Sequence, residues 1–199
     1  MELRDQLKAY CDALVKGMEA ENWYLSLIAA FALPDICNSL EDKHGGDNYA
    51  EWFDKYVTQY RATIYRGEDD QVITRPDGGT ITTRKKSSPL IEVERHEVLT
   101  GVIAYALRSA FLHNGGGEVA EERITKKPKH QDSLLGIEKV KFLASPTNLS
   151  TYQKDNTIYL NPKVYCYAIL QGIDKWILDK VNDEVVLNNT EKLIIFEDC

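Results

Sequence analysis

The chain has 199 residues, enough for one domain with a sizeable core, and its 43% hydrophobic content is ordinary for a globular protein. Its formal net charge of −7 argues against broad, nonspecific binding to nucleic acids. No apolar run reaches the roughly 18 residues of a membrane span, and the N-terminus mixes charges of both signs. We therefore expect no membrane segment and no signal peptide.

Hydrophobic side chains at helical spacing run through the first 65 residues and predict three helices of a core, over 2–65. Residues 2–19 predict an amphipathic helix. Asn22 is a suitable N-cap for a second helix, WYLSLIAAFAL, which is apolar nearly all round and is therefore expected to be buried. Pro34 is expected to kink or restart this helix. Asp47 or Asn48 is expected to cap a third helix, YAEWFDKYVTQYRATIY, with an aromatic stripe that we interpret as core.

The stretch 66–93 has no helical period. VIT and TIT flank Arg-Pro-Asp-Gly-Gly, a sequence typical of turns, and predict an inserted hairpin or loop. Its basic triplet, Arg84-Lys85-Lys86, is interpreted as a solvated loop, with contact to RNA phosphates as the alternative.

A second part of the helical core is predicted over 95–115. Val98, Leu99, Val102, Ile103, Ala106 and Ala110 follow helical spacing, and the glycines at 115–117 are expected to end the helix. Its last turns carry Arg108 and His113. Burial of either side chain would require a partner, because an unpaired buried charge is costly.

The period changes after Gly117, and we expect the β-structure to lie mainly within 120–160. Val140 and Phe142 alternate with two lysines as in a half-buried strand, and TIYL predicts another strand. Asn161 is expected to cap a C-terminal helix over 162–182, with Pro162 in its first turn. The sequence therefore predicts a single domain, 1–199, that is mainly α with a small β hairpin or ribbon appended.

Four cysteines lie far apart without a CxxC pair, which favours free thiols in a reducing cytoplasm. The four histidines show no ligand spacing with one another or with cysteine, and no Walker, dinucleotide-binding or HExxH motif is present. We therefore expect neither a metal site nor a cofactor.

Three motifs occur in a fixed order: LPDICNSLE, EWFDKYV and, after the insertion, YALRSAFLHNG. This series resembles a group of uncharacterised bacterial and phage proteins that are similar to the HEPN superfamily, and the resemblance covers roughly residues 22–116. It implies an all-α bundle that commonly forms a homodimer, with the Arg and the His near a groove shared by the two subunits.

The same resemblance implies a metal-independent endoribonuclease, such as a toxin or phage-defence effector that an antitoxin could restrain. Arg108 and His113 would be catalytic, and Ser109 and Asn114 would contact the RNA substrate. A histidine can move the protons that cleavage by the 2′-OH requires. An arginine can stabilise the charge on the phosphorane oxygens. Since i and i+5 lie about 140° apart on a regular helix, the pair would need a frayed helix end or the partner subunit in order to meet.

A structural interpretation of the same residues remains open. Arg108 could pair with a core acid, for which Asp35 and Asp54 are the candidates, and His113 could cap the helix. The chain would then be a non-catalytic HEPN-like module that binds a protein or a nucleotide. Burial of Arg108 against a carboxylate would favour this module, whereas an open cleft holding both residues would favour the enzyme.

Overall fold

A computed structural model describes residues 3–57, 61–67, 71–74, 80–83, 90–97, 99–118, 137–144, 152–154 and 157–193. The chain divides into two compact units: a larger one formed by Met1–Tyr60 and Val98–Cys199, and a smaller one formed by Arg61–Glu97. The basic triplet at 84–86, the segment 120–136 and the last six residues lie outside the described residues.

The larger unit is mainly helical, as the sequence predicts. Its helices are α1 (Leu3–Glu19), α2 (Trp23–Leu40), α3 (Gly46–Tyr56), α4 (Gly101–Asn114), α5 (Pro162–Lys180) and α6 (Glu184–Asn189), and a 3₁₀ turn follows at Thr190–Lys192. Helix α2 packs against α1 and α5, and α3 packs against α4. The core between them contains large side chains with almost no exposure: Phe31, Tyr49, Phe53, Tyr165 and Trp176.

Local chemistry fixes several helix ends. The Asn22 side chain accepts a hydrogen bond from the Leu25 amide at the start of α2, and Asn161 does the same for the Lys163 amide at the start of α5. Both caps are confirmed. The predicted Asp47 or Asn48 cap is wrong, because α3 begins at Gly46, and Gly45 occupies the cap position without a side-chain hydrogen bond.

Helix α2 differs from the prediction in two respects. It continues through Pro34 without restarting, so a proline in a well-packed helix does not end it here. It is also not buried all round, because Tyr24, Leu25 and Ile28 are 65%, 51% and 45% exposed. By length and composition α2 could cross a membrane, but half of it is buried in the fold, as in the core helix of a globular protein.

Three strands belong to the larger unit: β5 (Lys139–Phe142), β6 (Tyr152–Lys154) and β7 (Thr157–Leu160). They form one sheet in the order β5-β7-β6, with β5 and β7 parallel and β6 and β7 antiparallel. Val140, Ile158 and Leu160 are buried. The prediction of β-structure between 120 and 160 is confirmed within the described part of that range.

The smaller unit is a β-ribbon. Strand β1 (Arg61–Gly67) pairs with β4 (Leu90–Glu97), and β2 (Gln71–Thr74) pairs with β3 (Thr80–Thr83), both antiparallel. These antiparallel strands lie where the sequence predicts an inserted hairpin or loop, and they extend beyond 66–93 on both sides. The helical predictions for 61–65 and 95–97 are wrong, because both segments lie in paired strands. ATIY is rich in β-branched and aromatic residues, as strands are, and IEVE near the start of β4 alternates apolar and charged residues.

Candidate functional site

Arg108, the proposed catalytic cation, is held in an ion pair between two helices. From α4, its guanidinium donates a hydrogen bond of 2.9 Å from Nε to Oδ2 of Asp35 on α2, and Nη2 lies 2.6 Å from the same oxygen. The Arg108 side chain is 23% exposed and that of Asp35 is 36% exposed. The structure therefore places Asp35 as the carboxylate partner of Arg108, one of the two candidates that the sequence offered.

The environment of Asp35 disfavours the ionised form of its carboxyl group. Burial raises the pKa of Asp35, and the attraction and hydrogen bond from Arg108 oppose that rise without cancelling it. The two side chains thus depend on each other, because removal of the guanidinium would leave a half-buried carboxylate without this partner. Such mutual dependence is typical of a pair that ties two helices together.

Asp54, the second candidate partner, has a different role. Its Oδ1 accepts a hydrogen bond of 2.6 Å from the backbone amide of Gly101, the first residue of α4. A carboxylate at this position satisfies an amide that has no partner within the helix and interacts favourably with the positive end of the helix dipole. Asp54 therefore anchors the start of α4 to α3.

Gly101 is required at this junction by space rather than by backbone conformation. A Cβ built on Gly101 would lie 2.0 Å from the carbonyl oxygen of Ala50, a distance that no real contact reaches. The glycine lets α4 approach α3 closely enough for Asp54 to reach the amide. The WFD motif thus serves the packing of two core helices.

His113, the proposed catalytic base, is exposed in the last turn of α4, and so is Asn114. Ser109 is buried, with 3% exposure. Because α4 stays helical through Asn114, Arg108 and His113 lie on one regular helix and point about 140° apart. Within one chain the two side chains do not converge on a common substrate position.

An apolar cavity of about 390 Å³ lies beside the end of α4. Its lining includes Trp23, Tyr24, Phe111 and the backbone of the glycines at 115–117. The ring of Tyr24 packs against that of Phe111 with their centroids 5.4 Å apart. Sequence reasoning identified the glycines only as the end of a helix and assigned the aromatic residues to the core, so it missed this cavity.

Gly115 and Gly117 shape the wall of the cavity in different ways. Gly115 ends α4 in the left-handed conformation, with φ of 63°. At Gly117 the chain runs against β5: its carbonyl accepts a hydrogen bond of 2.7 Å from the Val140 amide, and a Cβ would lie 2.0 Å from the Val140 oxygen.

The exposed part of the same region is a cluster that we call the α2 apolar face, formed by Tyr24, Leu25 and Ile28. These positions lie on one side of the helix, and all three side chains are largely exposed. Between Glu21 and Asp35 the sequence contains no charged residue. A group of exposed apolar side chains of this kind is typical of a contact site for another molecule.

Among the described residues, no group of three or more His, Cys, Asp or Glu side chains is arranged to hold a metal ion. Comparison with known proteins finds no family model, no curated protein and no solved structure that matches this chain.

Proposed function

We propose that the chain is a non-catalytic module with a HEPN-like helical core, which pairs with a second copy of itself through the α2 apolar face. The observation that carries the first part is the ion pair between Arg108 and Asp35. A guanidinium that stabilises a phosphorane must direct its charge to the substrate. Here Asp35 neutralises that charge, and an RNA phosphate would have to displace the carboxylate.

The position of His113 supports the same conclusion. Its side chain is exposed at the end of α4 and is directed away from Arg108 by the geometry of the helix. General acid–base catalysis requires the histidine to lie within hydrogen-bonding reach of the reacting atoms that the arginine stabilises. One chain does not supply that arrangement.

A second copy is proposed as the partner of the α2 apolar face because the stretch that carries this face has no charged residue. Two chains of net charge −7 repel each other at long range. A two-fold interface brings each residue of a patch close to its own counterpart, so charged residues within the patch would repel strongly. The stretch between Glu21 and Asp35 avoids this repulsion because it has no charge, while Tyr24, Leu25 and Ile28 offer apolar area to bury.

Sedimentation equilibrium of Ile28→Glu beside the parent tests this pairing. We expect the parent to sediment as a dimer at micromolar concentration and Ile28→Glu to sediment as a monomer, because the interface would have to bury a carboxylate. Leu178→Glu is the matched control, since Leu178 is an exposed leucine on α5. A monomeric parent, or equal dissociation of the two variants, would overturn the proposal.

A metal-independent endoribonuclease is the second candidate, and two observations favour it. His113 and Asn114 are exposed, and Arg108 retains 23% exposure, so a ligand can reach them. In a dimer the His113 of one chain would then have to meet the Arg108 of the other. We propose a toxin or phage-defence role, with an antitoxin as partner, only for this candidate.

The test of the second candidate is incubation with single-stranded RNA in excess chelator. Cleavage that leaves a 2′,3′-cyclic phosphate and is lost in both His113→Ala and Arg108→Ala would establish the enzyme. The expected loss for a catalytic histidine is about 10²–10⁴-fold. Both variants must first be shown by circular dichroism to be folded.

For either candidate we propose a cytoplasmic location, which the cysteines support. Within the described residues Cys11, Cys37 and Cys166 are free. Burial raises the pKa of the Cys11 thiol to about 11 and that of Cys166 to about 12. Such thiols remain protonated and pack as small apolar groups, which suits a reducing compartment.

A further inference from the structure

The apolar cavity at the end of α4 is formed by elements that meet only in the folded chain. Trp23 and Tyr24 belong to α2, Phe111 to α4, Phe142 to β5 and Pro162 to the start of α5, and all of them line the cavity. Helix α2 packs directly against α5. The walls are therefore fixed by the packing of the larger unit, as those of small-molecule sites usually are.

The aromatic side chains in the lining keep surface that the fold does not cover. Trp23, Phe111 and Phe142 are half-buried, and Tyr24 is 65% exposed. The rings of Tyr24 and Phe111 are inclined by 34° to each other, and the buried ring of Phe31 lies behind them, 5.3 Å from that of Phe111. Walls of this kind suit a planar ring, because an aromatic ligand contacts aromatic side chains favourably in addition to burying apolar area.

Gly116 lacks a side chain although neither its backbone conformation nor its packing requires a glycine. Gly115 has a left-handed φ of 63°, and at Gly117 a Cβ would clash with the Val140 oxygen. Gly116 has no left-handed φ, and a Cβ built on it would come no closer than 4.0 Å to an atom beyond its chain neighbours. A glycine in such a position leaves room for another molecule to lie against the backbone.

The charge and the volume of the cavity narrow the class of ligand. Among the described residues that line it, none carries a charge. An ionised ligand group would lose its hydration there without gaining a partner, which favours a neutral molecule. The volume of about 390 Å³ is more than twice the roughly 150 Å³ of a cavity that holds one benzene ring. The cavity therefore has room for two fused rings.

We propose that this cavity binds a neutral aromatic molecule of about two fused rings, which lies between the aromatic side chains and the backbone of Gly116. The lining comes from a single chain. The site therefore goes beyond the proposed pairing through the α2 apolar face and does not depend on it, although Tyr24 borders both.

Naphthol and its saturated counterpart, decahydronaphthol, test the proposal on the whole protein. The indole N–H of Trp23 reports binding in a ¹H–¹⁵N spectrum, and the indole of Trp176, which donates to Glu41 at the other end of α2, is the internal reference. We expect the Trp23 signal to move saturably with naphthol and the Trp176 signal to stay in place. Naphthol should bind about two- to tenfold more tightly than decahydronaphthol, which is the gain from aromatic contacts. Naphthoate should bind more weakly than naphthol, because its carboxylate would be desolvated.

Substitutions in the lining test the position of the ligand. Ala144 is exposed and lines the cavity, so Ala144→Leu should take up ligand space and weaken naphthol binding by about tenfold. Ala13→Leu is the matched control, since Ala13 is an exposed alanine of α1 outside the lining, and it should leave the affinity unchanged. Gly116→Ala should melt no lower than the parent, because its Cβ meets open space, but it should weaken naphthol binding.

Ile28→Glu separates this proposal from the pairing of two chains. Ile28 lies outside the lining, so the variant should bind naphthol as the parent does even where it is monomeric. A monomeric parent that binds naphthol would refute the pairing and support this site. The proposal is overturned if the Trp23 signal does not saturate with naphthol, or if decahydronaphthol or naphthoate binds as tightly. Loss of binding in Ile28→Glu, or equal weakening by Ala13→Leu and Ala144→Leu, would also overturn it.

Discussion

The ion pair between Arg108 and Asp35 can be measured by a double-mutant cycle. The perturbations are Asp35→Ala, Arg108→Ala and the two together, with the free energy of unfolding determined for each in denaturant at neutral pH. The coupling free energy isolates the interaction between the side chains from the effect of truncating each one.

The expected size follows from the partial burial of the pair. Fully exposed pairs contribute about 0.2–1 kcal/mol, whereas breaking a buried pair costs about 3–5 kcal/mol. The side chains of Arg108 and Asp35 are 23% and 36% exposed and are joined by a hydrogen bond from Nε and an ion-pair contact from Nη2. We therefore expect each single substitution to cost about 1–3 kcal/mol and the coupling to be about 1–2 kcal/mol.

A second cycle on Arg4 and Asp174 is the matched control. These residues also form an Arg–Asp pair between two helices, with Nη2 and Oδ1 2.8 Å apart, but both side chains are exposed. Its coupling should stay below about 0.5 kcal/mol. If the coupling of Arg108 and Asp35 is no larger than that of the control pair, the structural role assigned to Arg108 is refuted.

Three further predictions concern the helical unit. Gly101→Ala should destabilise the fold by about 3 kcal/mol or more, because its Cβ would clash with the Ala50 carbonyl. Gly115→Ala has open space around it and should cost only about 1 kcal/mol, from the strain of a left-handed alanine. Equal melting temperatures for the two variants would contradict this prediction. Asp54→Asn should cost about 0.5–1 kcal/mol in chemical denaturation, because the charge at the start of α4 is lost, and an unchanged midpoint would show that the charge is irrelevant. Burial opposes the ionisation of Glu41, but hydrogen bonds from Lys43, Trp176 and Lys180 lower its pKa below the ordinary value of 4.5. The contribution of ionised Glu41 to stability is therefore present above pH 4.5 and is lost as the pH falls through the folded-state pKa. The free energy of unfolding should then fall more for the parent than for Glu41→Gln on acidification below pH 4.5. Parallel pH profiles for the two proteins would contradict this prediction.

The sequence predicted those features that depend on local chemistry. The caps at Asn22 and Asn161 can be identified because a side-chain oxygen and the amides it accepts from lie within a few residues. Asp35 could be singled out because it is a carboxylate in an otherwise apolar helix. The sequence left both Asp35 and Asp54 open as the partner of Arg108, since the placement of α2 beside α4 is a property of the fold.

The features that the sequence did not predict depend on contacts between residues that are far apart in the chain. At 61–65 and 95–97 the helical pattern of the neighbouring segments was extended into residues that form strands. The β-branched and aromatic residues of ATIY suit a strand, whereas Arg95-His96-Glu97 carries no strand pattern of its own, so the pairing of β1 with β4 decided the outcome. The apolar cavity was not predicted. Trp23, Phe111 and Val140, which line it, are far apart in sequence, and no spacing rule connects them.

The most direct test of the account is the rate of RNA cleavage by Asp35→Asn, measured beside the parent and Arg108→Ala in excess chelator. Asp35→Asn keeps the shape of the side chain but removes the charge that neutralises Arg108. If Arg108 serves structure, as we propose, none of the three proteins should cleave RNA above the rate without protein. Cleavage by the parent that Arg108→Ala abolishes, or activity that appears when Asp35→Asn releases the guanidinium, would contradict the account and establish Arg108 as a catalytic residue.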